Sequence, residues 1–166
     1  MRIDDDHMYH GAALIQIAEH PQFTAINSLK LGGNVVQLAY KVNDEIAVYL
    51  KYAGKSVPKF GEYPFTFLDS HLTELSNIAE ANPKTFVALV CVRDREVCCL
   101  TYAQLQQLIT RRKTAKGEPE KQYVVLVTVP KGKSMRVYVN APGVKKKTLG
   151  KSLLINRNAF PGSLFG

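Results

Sequence analysis

The sequence predicts an α+β fold, a mixed and mainly antiparallel sheet with about three helices, in the core order α-β-β-β-α-β followed by β-α-β-β. Three observations lead there. Apolar residues recur at helical spacing in three segments and at strand spacing between them. Gly32-Gly33-Asn34 and Asn43-Asp44 separate consecutive β-like runs, which is the chemistry of tight hairpin turns. Residues 86–92 form an almost wholly apolar run directly after a helical segment, as expected of a strand covered on both faces.

The first helix is expected over residues 7–20, with Met8, Ala12, Ile15 and Ala18 on one face, Leu14 and Ile17 flanking it, Asp6 as N-cap and Pro21 as the stop. Residues 23–31, 35–42 and 46–52 then read as an antiparallel meander. Residues 53–64 carry Gly54, Pro58, Gly61 and Pro64, the composition of a loop. Asp69 can cap a second helix striped by Leu72, Leu75, Ile78 and Ala79, which Asn82-Pro83 ends. After the apolar strand, Arg93-Asp94-Arg95 turns the chain into a strand at residues 97–100. Thr101 and Gln104 form a capping box for a third helix built on Leu105, Leu108 and Ile109. Residues 111–121 read as a charged loop, and residues 123–129 and 134–140 as a hairpin. A single domain over residues 1–166 is expected, with residues 7–92 as its core and residues 93–166 as a basic extension.

Charge is divided along the chain. Residues 1–83 hold six Lys/Arg against ten Asp/Glu, a balance of −4, whereas residues 84–166 hold sixteen against four, a balance of +12. Thirteen of these cations fall between Arg111 and Arg157, opposed only by Glu118 and Glu120. Such a field draws one part of the molecule toward polyanions, of which nucleic acid is the commonest inside cells. A composition of 46% hydrophobic and 22% charged residues is that of an ordinary globular protein. Met1-Arg2-Ile3 followed by Asp4, Asp5 and Asp6 is the reverse of a secretory leader, and no apolar run reaches membrane-spanning length, so a soluble, cytoplasmic protein is expected. Cys91, Cys98 and Cys99 lie in apolar runs and read as buried free thiols. His7, His10, His20 and His71 show no ligand spacing beyond the one-turn pair His7 and His10. Phosphate-binding and dinucleotide-binding glycine loops and the serine-nucleophile elbow are absent from the sequence.

A helix, a three-stranded meander, a crossover helix and an apolar strand, over roughly residues 7–92, resemble the core of the restriction-endonuclease-like (PD-(D/E)XK) nucleases. The resemblance implies an acidic residue near the start of the second core strand and an acidic-x-Lys triplet on the third, which hold a divalent metal beside the scissile phosphate. The Lys of that triplet matches Lys51 in Val48-Tyr49-Leu50-Lys51-Tyr52, and strand alternation puts Tyr49 and Lys51 on one face. Tyr49 stands where the family has a carboxylate, and a neutral phenol is a poor ligand for Mg²⁺. The resemblance therefore implies a nuclease-like fold that is catalytically degenerate or, if it cuts, a Mg²⁺-dependent phosphodiesterase with Asp44 and Glu19 as metal ligands and Lys51 near the nucleophile. Glu62 and Asp69 are further acids within its reach. Ordinary readings stand beside these: Asp44 as a turn residue, and Lys51 as a side chain whose stem covers the core while its ammonium reaches water.

The C-terminal half points to binding more directly than any residue points to catalysis. Lys131, Lys133 and Arg136 sit on the expected hairpin beside Tyr138, and Lys145, Lys146, Lys147, Lys151 and Arg157 follow, while Lys55 and Lys59 add cations after the third strand. Lys and Arg can track phosphates and Tyr138 can stack on an exposed base, so the expected function is DNA or RNA binding. The alternative is a protein-interaction module of the defence, mobile-element or toxin kind, docking an acidic protein partner on the same basic face. Phe160, Leu164 and Phe165 come late enough to dock the end of the chain, and a third reading is a homodimer or larger oligomer in which this apolar tail packs on a neighbour.

Overall fold

A computed structural model of the chain describes residues 1–54, 61–144 and 146–166. In chain order the elements are α1 Asp5–Ala18, β1 Ile26–Leu31, β2 Asn34–Val42, β3 Ile46–Ala53, β4 Glu62–Leu68, α2 Asp69–Ala81, β5 Lys84–Cys91, β6 Glu96–Thr101, α3 Tyr102–Lys116, β7 Gln122–Thr128, β8 Met135–Tyr138 and β9 Leu153–Ile155. The expected α+β order is present, with β4 and β9 added to it. The strands form a five-stranded sheet A in the order β1-β2-β3-β5-β6 and a four-stranded sheet B in the order β4-β7-β8-β9. Among the described residues only β3 and β5 pair in parallel, from Ile46 opposite Lys84 to Ala53 opposite Cys91; the other ladders are antiparallel.

Alternation along the central strands builds two cores. Ile46, Val48 and Leu50 of β3 and Ala88 and Val90 of β5 face Ala13 and Ile17 of α1 and the tail residues Phe160 and Leu164. Ala47 and Tyr49, with Val87 and Leu89, face the opposite way, onto α2, α3 and the inner face of sheet B, where Phe65, Phe67, Tyr123, Val125 and Val137 lie. Cys98 and Cys99 alternate in the same manner, one to each core, and both are buried with Cys91 as free thiols. Residues 93–166 are therefore no appendage: they supply β6 to sheet A, three strands to sheet B and the tail against α1.

Several local expectations are corrected by the structure. The N-cap of α1 is Asp4, not Asp6: its carboxylate accepts the His7 amide at 2.9 Å, and the His7 imidazole accepts the Asp4 amide at 3.1 Å. The buried face of α1 is His10, Ala13 and Ile17, whereas Met8 and Ile15 are 57% and 62% exposed. Apolar residues lie on both faces of this helix, and the face that meets the sheet has Tyr9 and Leu14 packed beside Ala13 and Ile17. Gly11, in mid-helix, costs about 1 kcal/mol relative to alanine. Glu62, Tyr63 and Pro64, expected in a loop, begin β4; proline is tolerated there because β4 is the edge strand of sheet B. Residues 111–116 continue α3, which ends on Gly117 at φ 83, and Lys113 and Lys116 in its last turn suit the negative end of the helix dipole. The tail folds back onto its own chain, burying Phe160 and Leu164 and stacking Phe165 on His20 with ring centres 4.3 Å apart, so Phe160 and Leu164 are not available to a neighbour. Among the described residues, no helix is long and apolar enough to cross a membrane.

Candidate functional site

The structural feature that singles out Lys51 is a split in sheet A. The β2–β3 ladder runs from Val42 opposite Ile46 to Ala39 opposite Tyr49 and stops there. At the same level the β1–β2 register jumps, with Ser28 opposite Tyr40 but Leu29 opposite Val36, so residues 37–39 have no partners in β1. The β1–β2 hairpin thereby leaves Leu50, Lys51 and Tyr52 without a paired strand on that side. A cleft of about 220 Å³ occupies the opening, walled by Leu38, by Lys51 and Tyr52, by Pro64 and Thr66 of β4, and by Asp6 and His10 of α1.

The Lys51 ammonium donates to the Thr66 carbonyl at 2.6 Å, lies 3.4 Å from His71 Nδ1 and stands 4.9 Å from the centre of the Phe67 ring. No ion pair among the described residues involves it. Burial lowers its pKa from the ordinary lysine value. His71 Nδ1 also accepts the Leu68 amide at 3.2 Å at the start of α2, which favours a neutral ring; burial and then the Lys51 charge lower its pKa. His10, buried against the Tyr52 ring, has its pKa lowered chiefly by burial, and its Nε2 has no hydrogen-bond partner. The arrangement is a half-buried cation beside two neutral imidazoles and one carboxylate, Asp6, at the rim. It can hold an anionic group by hydrogen bonds, but it does not assemble a set of hard oxygen ligands.

The residues expected to accompany Lys51 are elsewhere. Tyr49 shares its face of β3, as alternation requires, but is wholly buried; its hydroxyl has no partner, and burial pushes its pKa up to about 12, so it presents no anionic oxygen near neutrality. Asp44 is the second residue of the β2–β3 turn, at φ 60 after Asn43 at φ 53, and is exposed. That turn lies at the far end of β3, on the order of 16 Å from Lys51 along the strand. Asn43 ties it to the chain after α1, accepting the Thr24 amide at 2.7 Å and donating to the Gln22 carbonyl at 2.7 Å. Glu19 is the exposed C-cap of α1, nine residues beyond His10 and so about 13 Å farther along the helix. Asp69 begins α2 and is exposed, and Glu62 is buried, accepting the Tyr138 hydroxyl proton. Among the described residues, no three of His, Cys, Asp and Glu gather closely enough to hold a metal ion. The cleft does not fit Mg²⁺, which wants several charged or carbonyl oxygens, and Asp44 and Glu19 are not brought together with Lys51.

The basic residues fall into two groups. Lys131 and Lys133 are exposed in the β7–β8 turn, with Arg136 exposed on the adjoining strand. Arg157 is held at this turn: it donates to the carbonyls of Pro130 and Lys133 and pairs with Glu96 at 3.3 Å. Lys147 and Lys151 are exposed in the segment after β8, where Arg111 donates to the Lys151 carbonyl at 2.8 Å, and Lys146 adjoins them. Arg112 grips Glu120 with two bonds, at 2.6 and 3.0 Å, and reaches the Asn140 carbonyl; this pairing is the main reason the Glu120 carboxyl is held below its usual pKa. Tyr138 is corrected from a stacking residue to a core one, its ring buried and its hydroxyl engaged by Glu62. Lys55, Lys59 and Lys145 lie outside the described residues.

Comparison with models of known families, with curated proteins and with solved structures returns no match. The site rests on its own geometry. Sequence reasoning missed Asp6, His10 and His71 as neighbours of Lys51. The i, i+4 spacing of Asp6 and His10 was the available signal for the first two, while His71 needs the placement of α2 against β3.

Proposed function

We propose that this protein binds nucleic acid through the basic surface of its C-terminal half and does not cleave it. The observation that carries this reading is the sorting of the basic residues into two sets. Arg112 and Arg157 take up Glu120 and Glu96, while Lys131, Lys133, Arg136, Lys147 and Lys151 are exposed and enter none of the ion pairs among the described residues. Glu120 and Glu96 are thus taken up inside the fold, and the exposed cations outnumber the exposed Glu118 that remains among them. Five phosphate contacts would give a salt slope of about −4.5 for duplex DNA and a loss of several hundred-fold in affinity between about 50 and 200 mM salt. The buried, neutral Tyr49 and the distance of Asp44 and Glu19 from Lys51 support binding without hydrolysis.

The test is fluorescence anisotropy with labelled single- and double-stranded DNA and RNA over a salt series, with and without Mg²⁺, followed by a denaturing gel of the probe. Binding that weakens with a slope near −4 and leaves the probe intact is the expected result. A shortened probe would contradict the non-cleaving reading and return attention to Lys51. Absence of binding at about 50 mM salt would leave the same lysines as a docking face for an acidic protein.

A further inference from the structure

The exposed face of α1 is unexplained by the fold. Met8, Gly11, Ala12 and Ile15 follow the i, i+3, i+4, i+7 spacing that puts residues on one side of a helix. Met8 and Ile15 are 57% and 62% exposed, Ala12 is exposed, and the buried face is the other one, His10, Ala13 and Ile17. Isolated exposed apolar residues are common, but here two large ones flank two small ones along roughly 10 Å of helix. Gly11 is a second and independent anomaly. A Cβ at this position would meet nothing within 4 Å, so neither packing nor backbone geometry of the chain itself asks for glycine, which weakens a helix interior relative to alanine. A glycine between Met8 and Ile15 leaves the helix backbone open to close approach from outside.

Charge selects the occupant. Asp4 and Asp5 stand at one end of the stripe and Glu19 at the other, and α1 contains no Lys or Arg. Nucleic acid is repelled by such a face. Two copies packed α1 against α1 about a two-fold axis, antiparallel, would set Asp4 and Asp5 against Glu19 of the other copy, which like charge disfavours. We propose that this face docks an amphipathic helix of a partner protein whose apolar stripe seats in the notch at Gly11 and Ala12 and whose ends carry Lys or Arg. The inference does not depend on nucleic-acid binding by the basic surface.

The test is selection from a display library of 18-residue helices that share an apolar i, i+3, i+4, i+7 stripe and are randomised at both ends, against the intact protein and its Gly11→Leu variant. The expected outcome is enrichment of sequences with Lys or Arg at both ends, whose affinity falls at least tenfold on Gly11→Leu while the melting temperature is unchanged or higher. Ile15→Lys, a substitution at an exposed position, should weaken the same sequences comparably. Failure to enrich any sequence, enrichment without basic ends, or binding indifferent to Gly11→Leu would overturn the proposal. So would a dimer in sedimentation that Gly11→Leu dissociates, since a second copy would then be the occupant.

Discussion

Lys51 shows what a half-buried charge requires. Its ammonium has lost part of its water, and the fold offers a carbonyl, a ring face and an imidazole nitrogen in place of a carboxylate. Other buried titratable groups set the pH range of the protein. His10 and His71 have pKa values lowered below 6.5 by burial, so the unfolded chain takes up protons first and stability falls as pH drops below about 6.5. Burial pushes Cys91 and Cys99 up to about 12 from 9.0, raises Cys98 as well, and raises Tyr49, Tyr63 and Tyr138 from 10.0. Those groups stay protonated in the fold while the unfolded chain ionises, so their contribution is complete below about pH 9 and is lost as pH rises beyond it. Lys51 acts the other way at alkaline pH, but as one group against six. Urea midpoints measured from pH 5 to 10.5 should therefore show a plateau between about 6.5 and 9 with losses on both sides; a midpoint still rising at pH 10 would contradict the burial of the thiols and phenols. The face of Lys51 was legible from strand alternation. Its partner was not, because the Thr66 carbonyl belongs to a strand that Pro64 and Gly61 disguised as loop.

Turn and cap chemistry was legible at the scale of the element wherever the partners are local. The Asn43-Asp44 and Gly32-Gly33 turns have the positive φ values such pairs favour, and Thr101 and Gln104 cap α3 reciprocally at 3.0 and 3.1 Å. The face α1 turns inward was not legible, because apolar residues lie on both sides and only the packed sheet decides between them. That the apolar tail docks the end of the chain was legible, but not that it docks beside α1, which depends on α1 and β3 coming together. Phe160 is 8% exposed between α1 and sheet A, and Phe160→Ala should lower stability by roughly 3 kcal/mol in urea unfolding. A loss under about 1 kcal/mol would mean that the tail is not what closes that side of the sheet.

At the scale of the whole molecule, two chain halves of opposite net charge fold into one pair of sheets. The acidic half supplies α1 and most of sheet A, the basic half most of sheet B and the segment after β8, and the sequence alone was enough to see that division. What needed three dimensions was the sorting of cations into those that hold the fold, Arg112 and Arg157, and those left at the surface. It also corrected Tyr138, whose place in a hairpin pattern did not reveal that Glu62 meets it across sheet B. The basic surface is put to the test by the salt slope of nucleic-acid binding, compared between the protein and a variant carrying Lys131→Ala, Lys133→Ala and Arg136→Ala, three substitutions at exposed positions. The variant's slope should be shallower by about 2 to 3 on every probe the protein binds, with its unfolding midpoint unchanged. An unchanged slope would contradict this expectation and place the phosphate contacts elsewhere on the molecule.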